Sequence, residues 1–181
     1  EKSEQDLLKT FVEVNELKPV KLINTHCHID HVLGNKFVAD RWGLNLVMHE
    51  LDLPLLHSVK NYCNAYGLNQ YEESPEPNNF LKEGEQVRFG NSSLDILFTP
   101  GHAPGHITLH SPEQKFVIAG DVLFQMSIGR TDLPGGDYDT LINSIKTVLF
   151  PLAEETQVFC GHGPSTNIGF EKANNPFLKK S

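Results

Sequence analysis

Four side chains that can bind metal ions lie within six residues near the start of the chain. They occur in the stretch Thr25-His26-Cys27-His28-Ile29-Asp30-His31. Imidazole and carboxylate groups in such a cluster are ligands for zinc, iron or manganese. The whole chain has 9 histidines, so three of them in six positions are unlikely to be a chance cluster. The stretch therefore indicates a metal site, although its spacing alone leaves a single-ion site open.

The elements around this stretch predict how it directs its side chains. Residues 19–24 are mostly β-forming and predict a short strand. In extended backbone, His26 and His28 point to the same side because side chains alternate. Asp30 and His31 follow where a helix can begin, and Asp is a favoured N-cap residue. The end of the strand can thus direct two imidazoles to one ion, and the turn after it a carboxylate and an imidazole to a second.

Three further polar residues come just after β-like runs and stand beside glycine or proline. They are His102, Asp121 and His162. Each alone is no more than a polar loop residue, but sites are built on loops that rigid elements hold in place. The neighbouring glycines allow the backbone to approach a metal cluster closely. All seven residues together exceed the four ligands of a structural zinc and suffice for two ions if one carboxylate bridges them.

The rest of the sequence predicts helices and strands. Apolar spacing and end signals predict helices over residues 3–17, with Ser3 and Asp6 as a capping box, and over 32–42, 53–66, 137–150 and 166–173. Strands are predicted over residues 45–49, 86–89, 93–98, 107–110, 115–119 and 156–160. Residues 69–79 are polar, contain two prolines and predict an exposed loop, either a connector or a lid over the site.

Composition limits the class of protein. A chain of 181 residues suits one domain, and its net charge of −8 argues against a nucleic-acid partner and a nuclease. No apolar run approaches the ~18 residues of a membrane span, and the start does not resemble a signal peptide. The three cysteines are odd in number and far apart. We therefore expect a cytoplasmic protein that acts on a small molecule, away from membranes and without disulfides.

Four motifs, in this order, resemble those of the metallo-β-lactamase superfamily. They are His-x-His-x-Asp-His, Pro-Gly-His-x-x-Gly-His, Gly-Asp and Cys-Gly-His-Gly-Pro. Within the superfamily, the chain resembles most closely the glyoxalase II-like hydrolases of the short, single-domain bacterial type. The resemblance runs from about residue 7 to the end. It implies an α/β (α+β) fold, an αββα sandwich, with one domain over residues 1–181.

The chain departs from the family pattern at both ends. The family fold begins with several strands and an Asp-Pro-Gly loop, whereas this sequence opens at the first helix. We therefore expect the first strands to be missing. The sequence also stops soon after His162, without the helical extension that helps glyoxalase II to hold glutathione.

The resemblance implies a role for most of the histidines. It assigns one ion to His26, His28 and His102, the other ion to Asp30, His31 and His162, and the bridging position to Asp121. It implies two divalent metals as cofactors, zinc first, with iron or manganese as alternatives. By the same comparison, His106 is a hydrogen-bonded structural residue, and no ligand position matches His49, His57 or His110.

The activity that the resemblance implies is hydrolysis of a thioester such as S-lactoylglutathione by a metal-bridging hydroxide, with Asp30 orienting that hydroxide. Asp121 stands where the best-known β-lactamases use a cysteine, which argues against that subclass. Arg130 either meets an anionic substrate or pairs with Asp132 or Asp137. Two alternatives stay open: a mononuclear iron dioxygenase acting on glutathione persulfide, and a metal-binding but inactive fragment. The oligomeric state is also open.

Overall fold

The computed structural model describes residues 2–68 and 71–179. The helices are α1 (Lys2–Val14), α2 (Ile29–Val32), α3 (Asn35–Trp42), α4 (Leu53–Tyr62), α5 (Tyr138–Ser144) and α6 (Ile168–Asn174). The strands are β1 (Leu22–Ile23), β2 (Leu46–Met48), β3 (Asn79–Phe80), β4 (Gln86–Phe89), β5 (Ser92–Phe98), β6 (Ile107–Ser111), β7 (Phe116–Gly120), β8 (Leu123–Phe124), β9 (Ser127–Ile128), β10 (Gln157–Cys160) and β11 (Thr166–Asn167). Two 3₁₀ turns, Glu50–Asp52 and Cys63–Tyr66, flank α4, and a π-helical turn, Ile145–Leu149, continues α5. No helix in this part of the chain combines the length and hydropathy that crossing a bilayer requires.

The strands form two main sheets and one small ribbon. Strands β1, β2 and β3 pair in parallel in that order. The larger sheet has the order β11-β10-β7-β6-β5-β4 and is antiparallel except between β7 and β10. The chain passes through α5 between those two strands, because a parallel pair needs a crossover connection. Strands β8 and β9 form a separate ribbon.

Three apolar clusters hold these elements in four layers. One joins β7 and β10 to α5 and α6, with Leu141 and Ile168 fully buried. A second joins β2 to α4 through Leu46 and Val59. The third lies on β4, β5 and β6 and includes Ile23 of β1, so it fills the space between the two sheets. The order helix, sheet, sheet, helix confirms the predicted αββα sandwich.

Several predicted element ends agree with the structure. Gly43 and Gly67 have φ of 64° and 75° where α3 and the turn after α4 end. Asp137 accepts a hydrogen bond of 2.7 Å from the backbone N–H of Thr140 and so caps α5. Other predicted boundaries are wrong, since α1 ends at Val14 rather than at residue 17, α3 begins at Asn35, and α6 begins at Ile168 after the short strand β11. Ser3 lies inside α1 and does not cap it, and the predicted helix over 53–66 tightens into a 3₁₀ turn after Tyr62.

The segment predicted as an exposed loop packs beside α3 and α4. Asn69 and Gln70 lie outside the described residues, residues 71–78 form neither helix nor strand, and the prediction is wrong at Asn79, which begins β3. Ser74 accepts a hydrogen bond of 3.0 Å from the amide of Asn35. Glu76 lies 3.0 Å from His57 Nε2. A role as a lid stays a prediction.

Helix α1 turns much of its apolar side to the surface. Leu7, Phe11 and Val14 are 71%, 57% and 75% exposed. An apolar groove runs beside the helix, between β1 and β4, each of which is at an edge of its sheet. The expectation that further strands are missing at this end of the fold stays a prediction.

Candidate metal centre

Strand direction brings the distant ligand candidates together. Strands β5, β7 and β10 run in the same direction, since β6 is antiparallel to both β5 and β7, and β10 is parallel to β7. Their carboxyl ends therefore meet at one edge of the sheet. His102 follows β5, Asp121 follows β7 and His162 follows β10. The backbone N–H of Ile107 donates to the carbonyl of Thr25, which holds the His26 loop at the same edge.

The seven predicted ligand residues form three overlapping groups there. In each group, the possible ligand atoms lie within 4.8 Å of one another. The groups are His26, His28 and His102; His26, His31 and Asp121; and Asp30, His31 and His162. The first and third groups match the two sets that the sequence assigns to separate ions.

Asp121 lies between the first and third groups. Its Oδ1 is 3.4 Å from Nε2 of His31. Its Oδ2 is 3.4 Å from Nε2 of His162 and 3.6 Å from Nε2 of His102. Oδ2 thus faces a ligand candidate of each group, and a carboxylate in this position can serve as a bridging ligand.

The buried atoms of this cluster fit a divalent ion. Nε2 of His26, His28 and His31 and Oδ1 of Asp121 are buried and have no hydrogen-bond partner among the described residues. A buried polar atom without a partner costs about 1–3 kcal/mol, so native proteins contain few of them. Buried imidazole nitrogens and a buried carboxylate oxygen without such partners are the kind of donors that zinc, iron and manganese bind.

The two ends of the cluster differ in exposure. The first histidine group is buried, whereas the side chains of Asp30 and His162 are 49% and 58% exposed. Nε2 of His162 lies 2.9 Å from Oδ2 of Asp30 at this open end. A catalytic metal site keeps one position accessible to water or substrate, and the open end offers that access.

A backbone carbonyl sets the protonation of His102. Its Nδ1 lies 2.7 Å from the carbonyl oxygen of Arg130. A carbonyl can only accept, so Nδ1 carries the proton and Nε2 presents its lone pair toward the cluster. The guanidinium of Arg130 makes two bonds of 2.7 Å to Asp132. The structure thus contains the predicted ion pair between Arg130 and Asp132. Arg130 contacts the cluster through its backbone carbonyl.

His106 supports two members of the cluster. Its Nε2 accepts the backbone N–H of Asp121 at 3.0 Å, so its Nδ1 carries a proton, 3.2 Å from the hydroxyl of Thr99. Its ring also stacks on that of His26, with centroids 4.8 Å apart. It is fully buried and belongs to none of the three groups. These contacts agree with the sequence interpretation of a hydrogen-bonded structural histidine.

We expect His106→Ala to destabilise the protein by about 2–3 kcal/mol, because it opens a cavity and leaves the N–H of Asp121 buried without a partner. At saturating metal, the variant still binds its ions. Urea unfolding of the metal-free protein and metal analysis of the loaded protein measure the two effects. His110→Ala is the control, because His110 belongs to none of the three ligand groups. Its Nδ1 lies 3.9 Å from Oδ2 of Asp95. Loss of metal without loss of stability would contradict this account.

Burial keeps most of these imidazoles neutral. Desolvation lowers the pKa of His26 well below 6.5 and that of His28 to about 4, and neighbouring histidines add to both shifts. Desolvation also lowers the pKa of His102. At His31, the pairing with Asp121 outweighs burial and raises the pKa, and the same pairing lowers the pKa of Asp121. At neutral pH, the first group therefore has neutral imidazoles, the form that binds metal.

The metal-free protein is expected to lose stability as the pH falls below about 6.5, the ordinary pKa of histidine. Below this pH, His26 and His28 become protonated in the unfolded chain but stay neutral in the folded protein, because burial lowers their pKa values. Each such imidazole lowers the free energy of unfolding by up to about 1.4 kcal/mol per pH unit. His31 and Asp52, whose pKa values are raised, act in the opposite sense, but the buried histidines with lowered pKa values, which include His102 and His106, outnumber them. Urea unfolding at about pH 7.5 and pH 5.5 measures the loss, and equal stabilities at both would contradict it.

The cysteines and the remaining histidines lie outside the three groups. Sγ of Cys27 points away from its neighbours His26 and His28 and lies 3.5 Å from Sδ of Met48. Cys160 is half-buried. His49 stacks on Phe98 with centroids 4.6 Å apart.

Comparison with known proteins extends these observations. Hydroxyacylglutathione hydrolase GloC of Haemophilus influenzae is 41% identical over 180 residues, which cover 97% of this chain and 83% of that protein. A solved structure of TTHA1623 in a di-iron-bound form is 38% identical, with a TM-score of 0.87 over 96% of this chain and 84% of that one. The structure of BLEG-1 B3 metallo-beta-lactamase is 33% identical, with a TM-score of 0.88 over 97% and 85%. The sequence model of the Metallo-beta-lactamase superfamily matches residues 2–162. The chain belongs to the metallo-beta-lactamase superfamily.

Proposed function

We propose that this metallo-hydrolase uses two divalent ions to hydrolyse thioesters of glutathione, of the S-lactoylglutathione type. The observation that carries the proposal is the position of Asp121, whose oxygens lie 3.4 Å from both His31 and His162 and 3.6 Å from His102. The similarity to a hydroxyacylglutathione hydrolase supports the choice of thioester.

In the proposed mechanism, each part of the cluster has its own task. When bound, two divalent ions would supply Lewis acidity, which lowers the pKa of a water molecule and polarises a carbonyl. The first histidine group and the third group would hold the two ions, with Asp121 as a ligand that faces both groups. Asp30, at the open end, accepts a hydrogen bond from the attacking water and orients it. The thiol that leaves has a pKa near ~8.5, so its release as a thiolate needs little help from a general acid.

We propose zinc as the metal, because nitrogen and oxygen donors in this number suit it. Iron and manganese have the same preference, and a relative with a di-iron-bound form keeps iron as the first alternative. We also propose a cytoplasmic location, on the grounds that all three cysteines are unpaired.

Metal analysis of protein purified without added metal, followed by a thioester assay, tests the proposal. We expect two ions per chain and loss of the thioester absorbance of S-lactoylglutathione. A β-lactam and an acetate ester serve as comparison substrates under the same conditions. Two bound ions with hydrolysis of the β-lactam alone would overturn the choice of substrate.

The same experiment separates the two alternatives. A single iron per chain, with oxygen consumed when glutathione persulfide is added, would replace the hydrolase by the dioxygenase. Intact metal binding without turnover of any of these substrates would leave the inactive fragment. Both outcomes contradict the proposed function.

A further inference from the structure

Asp52 is a fully buried carboxylate outside the ligand set. It ends the 3₁₀ turn that follows β2 and is 0% exposed. Its Oδ2 accepts the backbone N–H of Cys27 at 2.8 Å, and its Oδ1 accepts the backbone N–H of Gly105 at 2.5 Å. Both oxygens are therefore bound to backbone of other segments.

The two N–H groups belong to the two loops that carry the buried histidines. Cys27 lies between His26 and His28, and Gly105 lies three residues after His102. Across these loops, Nδ1 of His28 lies 2.8 Å from Nε2 of His102. A Cβ at Gly105 would lie 2.6 Å from the backbone nitrogen of Asp52, so the second loop packs directly against the turn.

A carboxylate in this place is unfavourable for stability alone. Desolvation raises the pKa of Asp52 to about 6, although both backbone hydrogen bonds act to lower it. A buried charge is costly without a partner of opposite charge, and the carboxylate of Asp52 accepts its two hydrogen bonds from neutral backbone amides. A carboxylate does, however, accept at two atoms on opposite sides, which an asparagine amide cannot do.

We propose that Asp52 is a positioning residue that clamps the His26–His28 loop to the His102 loop and so sets the spacing of the first histidine group. The inference rests on the proposed metal centre but not on its substrate. Residues that orient metal ligands through hydrogen bonds typically change metal affinity by ~10–100-fold when they are replaced.

Asp52→Asn tests the clamp, because it keeps the shape of the side chain and loses one acceptor. Cobalt(II) is titrated into the metal-free full chain against a chelator, and its visible absorption reports the ligand geometry. We expect a ~10–100-fold weaker affinity for the first ion and a changed spectrum. Leu149→Ala is the control for lost stability, because it opens a cavity in the buried cluster beside α5. This variant should keep the cobalt affinity and the absorption spectrum of the wild type. Wild-type affinity and spectrum in Asp52→Asn would overturn the proposal.

Amide hydrogen exchange of the metal-free wild-type protein is a second measurement that needs no variant. Slow exchange at both Cys27 and Gly105 is expected, and exchange at either as fast as in an exposed loop would overturn the clamp. If the wild-type chain binds cobalt but hydrolyses no thioester, the proposed function fails while both tests of Asp52 keep their meaning.

Discussion

Asp121→Ala should abolish thioester hydrolysis, with kcat/KM lower by at least about a thousand-fold, or about 4 kcal/mol. The variant loses the carboxylate that faces His31, His102 and His162. Without it, the cluster loses its buried carboxylate, which faces both the first and the third group. We expect fewer than two ions per chain by elemental analysis, together with the loss of activity.

Asp95→Ala is the matched control for this experiment. Asp95 is a partly buried carboxylate on β5, where Gln86 donates a hydrogen bond of 2.8 Å to it, and it belongs to none of the ligand groups. Its loss should leave hydrolysis and metal content close to those of the wild type. An Asp121→Ala protein that keeps full activity would refute the two-ion account, whatever its stability.

The ligand set can be predicted from sequence because its members follow strands. His102, Asp121 and His162 come after β5, β7 and β10, and strands that run in the same direction must end at the same edge. Helix ends are equally local. A glycine such as Gly43 ends a helix because it accepts a left-handed φ, here 64°, in any tertiary context.

The sequence does not indicate contacts made by the backbone or very short elements. It suggests a role for the guanidinium of Arg130, whereas the group that contacts His102 is the carbonyl oxygen of Arg130. Asp52 is absent from the predicted site, although it follows β2 much as the ligands follow their strands. Strands of two residues, such as β3, β8, β9 and β11, are too short to show an alternating pattern.

Gly161→Ala should separate metal binding from folding. A Cβ at Gly161 would lie 2.1 Å from Oδ1 of Asp121 and 3.1 Å from Cε1 of His31, inside the cluster. The backbone of Gly161 is outside the left-handed region, so alanine itself is not strained there. The carboxylate of Asp121 can turn aside in the metal-free protein, but it then leaves its bridging position. We expect ~10–100-fold weaker metal affinity and a similar loss of hydrolysis, with little change in the stability of the metal-free protein.

Gly163→Ala is expected to do the opposite. Gly163 has φ of 76°, and nothing lies within 4 Å of a Cβ built on it. Alanine there adopts a left-handed conformation at about 1–2 kcal/mol, so stability falls while metal affinity and activity stay close to wild type. Cobalt titration and urea unfolding of both variants give four values to compare. If Gly161→Ala binds metal as tightly as Gly163→Ala, the close approach of this glycine to Asp121 has no part in forming the site. If it does not, the glycine of the Cys-Gly-His-Gly-Pro motif is required because the bridging carboxylate occupies the space of its missing side chain.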